Sequence, residues 1–441
     1  MLCDLLFKNA TILTFAHDNE ILENADIVTI GNKIVQIESG EVRDYTSKSE
    51  IDASNLIIIP GLINAHTHSG ETLKRGTSYA CQHGVWISNV WKNIDSMSDE
   101  EIEVSIKLCA AEMIRGGVTT VIDHFRQSPL SERCINTAVN IWLNTGMRAT
   151  LALMVRDQRL PDWLEGKMPS HQSQISLCRE FLQQWTRPEG LVRLGMGPSS
   201  PTRCSLALLK DSVDLARSHS TIIHMHCDET EGDRVDAFNL FGKSAVEYLS
   251  DFELLDSNIS LAHANWVSES DINLLAKSGA TVVHNPVSNL RLGSGRAPIE
   301  SFIKSGVPIL LGTDGAASND SQNILEALKI ALILPRIFIK NSEQWPSIKN
   351  AIDMIVRNGS IYINRVPGKI EVGANADFVA FNKNELSLLP MNDLYNQLCF
   401  AGTAFQAKYV VINGELILNN GQIMTFDEND VIDRARSMSI N

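Results

Sequence analysis

Hydrophobic and polar positions change rhythm twice along the 441-residue chain. Near the start, short alternating segments read as strands: Leu5–Phe7, Ala10–Phe15, Ala25–Ile30 and Lys33–Ile37, with Gly31-Asn32 and Ser39-Gly40 as turns. Period-two alternation broken by turn residues predicts a small antiparallel sheet. The far end has the same rhythm in Asp377–Phe381, Ala407–Val411 and Glu415–Leu418, with turns at Asn413-Gly414 and Asn420-Gly421. Between the ends, apolar runs alternate with longer helical patterns. Eight runs read as strands: Leu56–Ala65, Val118–His124, Arg148–Val155, Val192–Gly197, Thr221–His226, Ile259–His263, Ala280–His284 and Pro308–Gly312. Helical patterns such as Asp99–Arg115, Ser205–Ser218, Glu269–Ser278 and Asn323–Leu334 separate them. An eightfold strand–helix repeat predicts an α/β fold, a parallel (β/α)8 TIM barrel, and the two ends predict one small β-sandwich domain. The expected division is 1–58 with 366–425 for the β domain, 59–365 for the barrel and 426–441 for a C-terminal tail.

In such a barrel, chemistry sits at the C-terminal ends of the strands. Seven of the eleven histidines fall there: His66 and His68, His124, His224 and His226, His263, and His284. Strand eight ends in Thr313-Asp314. His66 and His68, spaced i, i+2 at the end of Ile57–His68, share one face of their strand. Three imidazoles and a carboxylate suit Zn²⁺ or Fe²⁺ with a position open for water, which selects His66, His68, His226 and Asp314. His224 faces the same way as His226. Glu229, three residues past His226 and placed to overhang the water, selects His226 and becomes the candidate general acid/base. His224 then lies one layer deeper. His263 is placed to bond the attacking water or polarise the group under attack. Asp123 and His124 read as groups behind the ligands, and His284 as core or pocket wall. Strand four ends without a lysine, in Gly197-Pro198-Ser199-Ser200, so the site is expected to hold a single metal.

Composition narrows the partners. A net charge of −14 argues against nucleic acid or an anionic membrane, both of which need clustered Lys/Arg. No run reaches the length of a membrane span. The N-terminus has no basic region ahead of its apolar residues, so no secretory signal is expected. Eight scattered cysteines without a Cys-x-x-Cys pair point to reduced thiols and a cytoplasmic protein. Dinucleotide, Walker and Gly-x-Ser-x-Gly fingerprints are absent, which leaves nucleotide-cofactor chemistry and serine hydrolysis without a foothold.

Pro60–His68 followed by Arg75-Gly76, then His226-Cys227-Asp228-Glu229-Thr230, His263-Ala264-Asn265, His284–Leu290, Leu311–Asn319 and Pro367–Asp377 occur in one order over nearly the whole chain. Together they resemble the amidohydrolase superfamily, and within it the branch of triazine hydrolases and S-adenosylhomocysteine/methylthioadenosine, guanine and 8-oxoguanine deaminases. The resemblance implies one divalent metal, zinc or alternatively iron, held at His66, His68, His226 and Asp314. It implies that His263 and Asp314 position and help deprotonate a water, which attacks a ring carbon bearing an amino group. Glu229 protonates the adjacent ring nitrogen and ammonia leaves, as in other zinc base deaminases. It also implies a homo-oligomer, by analogy alone.

The strand-four loop departs from that pattern. Adenosine-type members carry a histidine after Gly-Pro, whereas here Ser199 follows Gly197-Pro198. Loss of a hydrogen-bonding group can discriminate strongly between substrates, so Ser199 counts against an S-adenosylhomocysteine or methylthioadenosine substrate. Arg203 is an additional cation in the same loop. The loop after strand one, Thr77–Trp91, carries Tyr79, Cys81, His83, Trp86 and Trp91. Aromatics there suit a planar heterocycle, Trp86 first and His83 second. Arg156, Asp157 and Arg159 after strand three read as a solvated charge cluster, with docking of a substrate carboxylate or carbonyl as the alternative. The expected activity is metal-dependent deamination of a purine, pterin, pyrimidine or triazine. Displacement of chloride or an alkylamine from a triazine is the alternative, and a non-catalytic binding barrel is the remote one.

Overall fold

The protein is described by a computed structural model covering residues 1–16, 20–40, 42, 44–77, 83–185, 190–364 and 368–438. Eight parallel strands, Leu62–Thr67, Val118–Phe125, Arg148–Val155, Val192–Pro198, Ile223–Cys227, Ile259–His263, Thr281–His284 and Ile309–Leu311, pair in chain order in one sheet. Just past the eighth strand the chain returns to the first. Asp314 N–H donates to the His66 carbonyl at 2.9 Å, and Thr313 N–H to Asn64 Oδ1 at 3.1 Å. The sheet is thereby a nearly closed barrel, with its helices packed around it.

The helix boundaries follow from capping chemistry. Ser98 and Glu101 form a reciprocal capping box at the start of Asp99–Arg115, and Ser268 and Asp271 do the same for Glu269–Ser278. The patterns starting at Ser205 and Asn323 begin with those residues as N-caps rather than as helical positions.

Both chain ends build a second, nine-stranded mixed sheet. Its central strand, Leu56–Pro60, pairs parallel to Leu2–Leu13 and antiparallel to Phe378–Asn382. Phe7, Ile12, Ile27, Ile58, Phe378 and Val411 form an apolar core separate from that of the barrel. The expectation of a barrel with a small β domain made from both termini therefore holds.

Three local expectations need correction. The run Leu56–Ala65 is two strands in two sheets, broken at Pro60-Gly61. Pro60 has no N–H to continue a ladder, and a Cβ on Gly61 would lie 2.1 Å from Thr119 Oγ1, so only glycine lets the barrel's second strand approach. Leu5–Phe7 and Ala10–Phe15 belong to one strand, Leu2–Leu13, with an irregular register between Phe7 and Ala10, where Asn9 takes a positive φ of 64°. A further strand, Thr46–Asp52, pairs parallel to Leu2–Leu13. Its run Thr-Ser-Lys-Ser-Glu offers no apolar signal.

The two bodies are joined by a buried ion pair. Arg148, at the start of barrel strand three, donates to both oxygens of Asp377 at 2.9 and 3.1 Å. Near the C-terminus, the helix Glu428–Ser437 docks on Asp99–Arg115 through Arg115–Glu428 and Arg434–Glu103. Among the described residues, no helix is long and apolar enough to cross a membrane.

Candidate metal centre and active site

Four imidazoles at the barrel mouth are anchored through Nδ1, which leaves Nε2 pointing inward. His68 Nδ1–H donates to the His124 carbonyl (2.8 Å), His226 Nδ1–H to the Ser199 carbonyl (2.9 Å) and His263 Nδ1–H to Asn289 Oδ1 (2.8 Å). His66 Nδ1 shares a hydrogen bond of 2.6 Å with His224 Nε2, and His224 Nδ1 pairs with Ser260 Oγ at 2.6 Å. The free nitrogens converge. His68 Nε2 and His226 Nε2 are 3.1 Å apart, and Asp314 Oδ1 lies 3.3 Å from His66 Nε2 and 3.6 Å from His68 Nε2. His66 Nε2 and His263 Nε2 are buried and have no hydrogen-bond partner among the described residues. Asp314 is itself held by Ser288 Oγ–H (2.6 Å) and the Gly315 N–H (2.8 Å).

The backbone that aims these groups is unusual. His263, Ala264, Asp228 and Asp314 all take positive φ, between 46° and 74°, although none is glycine. Such conformations cost on the order of 1 kcal/mol or more each and cluster at functional sites. Here they turn the ends of strands five, six and eight toward one point.

Burial favours the neutral imidazole, the form a metal requires, at His66, His124, His224 and His226. It brings His66 down to about 4, and takes His124, His224 and His226 well below their usual range. Burial opposes ionisation of Asp314, but the closeness of His66, with Nε2 at 3.3 Å from Oδ1, outweighs it and holds the carboxyl well below the carboxylate range. Imidazole nitrogens and one carboxylate converging on a buried space are donors of the type that bind divalent metal ions. Sets of His66, His68 and Asp314 and of His66, His226 and His263 each bring their ligand atoms within 4.8 Å of one another, as does His68, His124 and His226.

Glu229 faces this cluster from the turn after strand five. Its oxygens lie 3.8 Å from His263 Nε2 and 3.2 Å from His83 Nε2. Asn265 Nδ2–H fixes its carbonyl, and Ser294 Oγ approaches Oε1 at 3.4 Å. His83 opens the helix His83–Ile94, and its ring lies parallel to Trp86 (centroids 6.1 Å, 13°). Trp86 is buried and donates from Nε1 to the Ala317 carbonyl at 3.1 Å. Residues Tyr79 and Cys81 lie outside the described residues.

The loop after strand four behaves differently from its neighbours. The Ser199 carbonyl orients His226, while its hydroxyl is buried without a partner among the described residues. Arg203 pairs with Asp233 at 3.6 Å and lies 5.8 Å above the Trp91 ring. Of the expected solvated cluster after strand three, Arg159 is exposed, pairing with Asp236, and Asp157 is half-buried. Arg156 is buried, donating to the Gln158 and Arg159 carbonyls, and Asp157 accepts from Ser205 N–H and Oγ–H at 2.6 Å. The correction has a simple cause: these side chains satisfy backbone groups that the turn leaves without partners. Asp123 accepts from Ser69 and Trp142 behind the ligands.

Several contributors carried no sequence signal of their own. Asn289 and Ser288, which hold His263 and Asp314, are visible only as members of the run His284–Leu290. Glu71 is fully buried three residues past His68. Its Oε1 accepts from Trp91 Nε1–H at 3.1 Å, and its Oε2 has no partner. Burial, then the charge of Asp314, pushes its carboxyl well above the usual range.

Comparison with known proteins agrees with this geometry. A "5'-deoxyadenosine deaminase" of Methanosarcina barkeri is 28% identical over 99% of this chain and 97% of its own length. A "5-methylthioadenosine/S-adenosylhomocysteine deaminase" of Thermococcus kodakarensis is 32% identical over 94% of each chain. The crystal structure of an adenosine deaminase from Xanthomonas campestris with bound zinc superposes with a TM-score of 0.90, at 25% identity, over 99% of this chain and 98% of that one. The sequence model described as "Amidohydrolase family" matches residues 57–417, and the chain belongs to that family.

Proposed function

We propose that this protein is a metal-dependent aminohydrolase that releases ammonia from an amino-substituted N-heterocycle, a purine before a pterin, pyrimidine or triazine. The observation that carries the reading is the convergence of His66, His68, His226 and Asp314 on one space, with Glu229 and His263 facing it. His66, His68, His226 and Asp314 would hold one divalent ion, zinc in preference to iron. That ion supplies Lewis-acid activation of a water molecule. Asp314 and His263 would help to position and deprotonate the water. Glu229 takes a proton from it and passes the proton to the ring nitrogen beside the carbon under attack. Trp86, His83, Ser199 and Arg203 would border the heterocycle.

The metal of the Xanthomonas campestris structure and the names of the relatives support zinc and a purine. Ser199 weighs against S-adenosylhomocysteine and methylthioadenosine, and the Thermococcus relative weighs for them. The same reading takes residues 59–365 as the catalytic barrel, with 1–58 and 366–425 as the β domain, whose strand Leu56–Pro60 runs two residues past that boundary, and 426–441 as the tail. It also takes the protein as a cytoplasmic homo-oligomer, supported by the buried free thiols Cys3, Cys109, Cys134, Cys178, Cys204, Cys227 and Cys399 and by family analogy.

The test is an ammonia-release assay of the zinc-loaded protein. The panel is 5'-deoxyadenosine, 5'-methylthioadenosine, S-adenosylhomocysteine, adenosine, guanine, a pterin and an aminotriazine. Turnover of at least one supports deamination. Chloride or alkylamine release from a triazine with no ammonia from any member would replace it with the alternative chemistry.

A further inference from the structure

Glu229 is gripped from two sides by histidines of unlike origin. His263 comes from barrel strand six and is tied through Nδ1 to Asn289. His83 comes from the helix that follows the first barrel loop, far from Glu229 in sequence. It is nonetheless the nearer partner, with Nε2 at 3.2 Å from Oε1 against 3.8 Å for His263 and Oε2. Its position is built rather than incidental. The ring lies parallel to Trp86, and Trp86 is locked by its Nε1–H to the Ala317 carbonyl in the short helix Ala316–Asn319 just after Asp314. One stack therefore connects the helix after the metal carboxylate to the acid–base carboxylate.

Charge decides what such a contact does. The groups acting on His83 are Glu229, Arg203 and Asp233, and Arg203 is itself paired with Asp233 at 3.6 Å. Burial disfavours a charged His83 ring, but Glu229 outweighs it and lifts the imidazole above its ordinary range. The effect is mutual. Burial opposes ionisation of Glu229, Asp314 adds to that opposition, and His263 with His83 overcomes both, bringing the carboxyl down to about 2.

We propose that His83 is a positioning residue for the deamination, holding the Glu229 carboxylate turned to the metal side of the pocket, ready to accept a proton from the attacking water. This rests on the reading of Glu229 as proton carrier. His83 keeps its own proton throughout. The proton that leaves water forms the Glu229 O–H bond, and that bond breaks as the ring N–H bond forms. This role is separate from bordering the heterocycle, because it runs through the contact of His83 with Glu229.

The full-length, zinc-loaded protein is compared with His83→Phe, His83→Gln and Glu229→Gln on whichever panel substrate releases ammonia fastest. In His83→Phe, zinc content is unchanged and KM stays within about threefold, while kcat falls about tenfold or more. The acid limb of its kcat/KM profile moves to higher pH, because Glu229 loses a cation that keeps it ionised. His83→Gln restores a hydrogen-bond donor without charge, so it recovers part of kcat and leaves the limb displaced. A readout without substrate is the titration of His83 by ¹⁵N NMR, whose midpoint falls in Glu229→Gln. Unchanged kcat and pH profile in His83→Phe overturn the proposal. So does a rise in KM alone, which would make His83 a substrate contact, or an unmoved His83 midpoint in Glu229→Gln. If His83→Phe does not fold, the NMR titration decides. Glu229→Gln with full turnover overturns the reading of Glu229 itself; Glu229→Gln inactive beside a normal His83→Phe overturns only the role of His83.

Discussion

His68 Nε2 and His226 Nε2 face each other at 3.1 Å, while both Nδ1–H groups donate to backbone carbonyls. With Nδ1 carrying the proton, both Nε2 atoms present lone pairs, and two lone pairs at this distance repel unless a cation lies between them. Metal binding and stability are therefore coupled. The purified protein is expected to hold about one zinc or iron per chain, the stoichiometry of one four-coordinate site. Stripping the ion with a chelator lowers Tm, and His68→Ala or His226→Ala loses the metal while keeping the fold. Elemental analysis and a melting curve with and without chelator check this. A metal-free protein with an unchanged Tm would sink the metal-centre reading.

The hydroxyl of Ser199 is fully buried and unpaired among the described residues, although its carbonyl is fully used in orienting His226. An orphan hydroxyl costs about 1–3 kcal/mol, so Ser199→Ala is expected to leave stability unchanged or slightly raised, with zinc retained. If the hydroxyl meets the substrate, kcat/KM falls about tenfold, the loss of one hydrogen bond. Denaturant unfolding and steady-state kinetics on the same preparation separate the two effects. A destabilised Ser199→Ala with normal kinetics would make the residue purely structural.

Much of this was legible in the sequence because barrel strands are buried on both faces and read as near-continuous apolar runs. The strand-end rule then converts histidine positions into geometry without further information. His66, His68, His226, His263, Glu229 and Asp314 were placed this way. What escaped detection depends on contacts distant in sequence or on backbone shape. The break at Gly61 is set by Thr119, 58 residues later, and nothing in Leu56–Ala65 announces it. The polar strand Thr46–Asp52 is defined by its partner Leu2–Leu13 rather than by its own pattern. The positive φ values at His263 and Asp314 have no residue signature, since neither is glycine. Arg156 read as solvated because charge implies exposure on average, and burial followed from carbonyls that the loop leaves in need of donors.

Arg148 and Asp377 join the barrel to the terminal sheet by two hydrogen bonds, with Asn413 Oδ1 accepting a third from Arg148 at 2.8 Å. Both side chains are almost fully buried, so removing one strands the other. Arg148→Ala is expected to cost about 3–5 kcal/mol, whereas the paired replacement Arg148→Met with Asp377→Leu recovers much of it. Denaturant midpoints of the wild type, the single and the double variant form the test. A single-variant loss below about 1 kcal/mol would show that the pair contributes no more than an exposed one.

The C-terminal helix Glu428–Ser437 provides a pH-dependent contact away from the metal centre. Arg434 bonds Glu103 at 3.0 Å, and that bond, with Lys107 beside it, holds the Glu103 carboxyl down to about 2 from an ordinary 4.5. A carboxylate with a depressed folded pKa contributes its stability in full above its unfolded pKa, and loses it as pH falls through the folded value. The stability gap between wild type and Arg434→Gln should therefore be constant from pH 8 to about 5 and narrow between about 4.5 and 2. Both side chains are roughly a quarter exposed, so the gap itself is small, below about 1 kcal/mol. Because the histidine cluster is the same in both proteins, its own acid sensitivity cancels in the difference. Unfolding curves of the two proteins at pH 7, 5 and 3.5 measure it, and a gap as wide at pH 3.5 as at pH 7 would show that Glu103 is not held by Arg434.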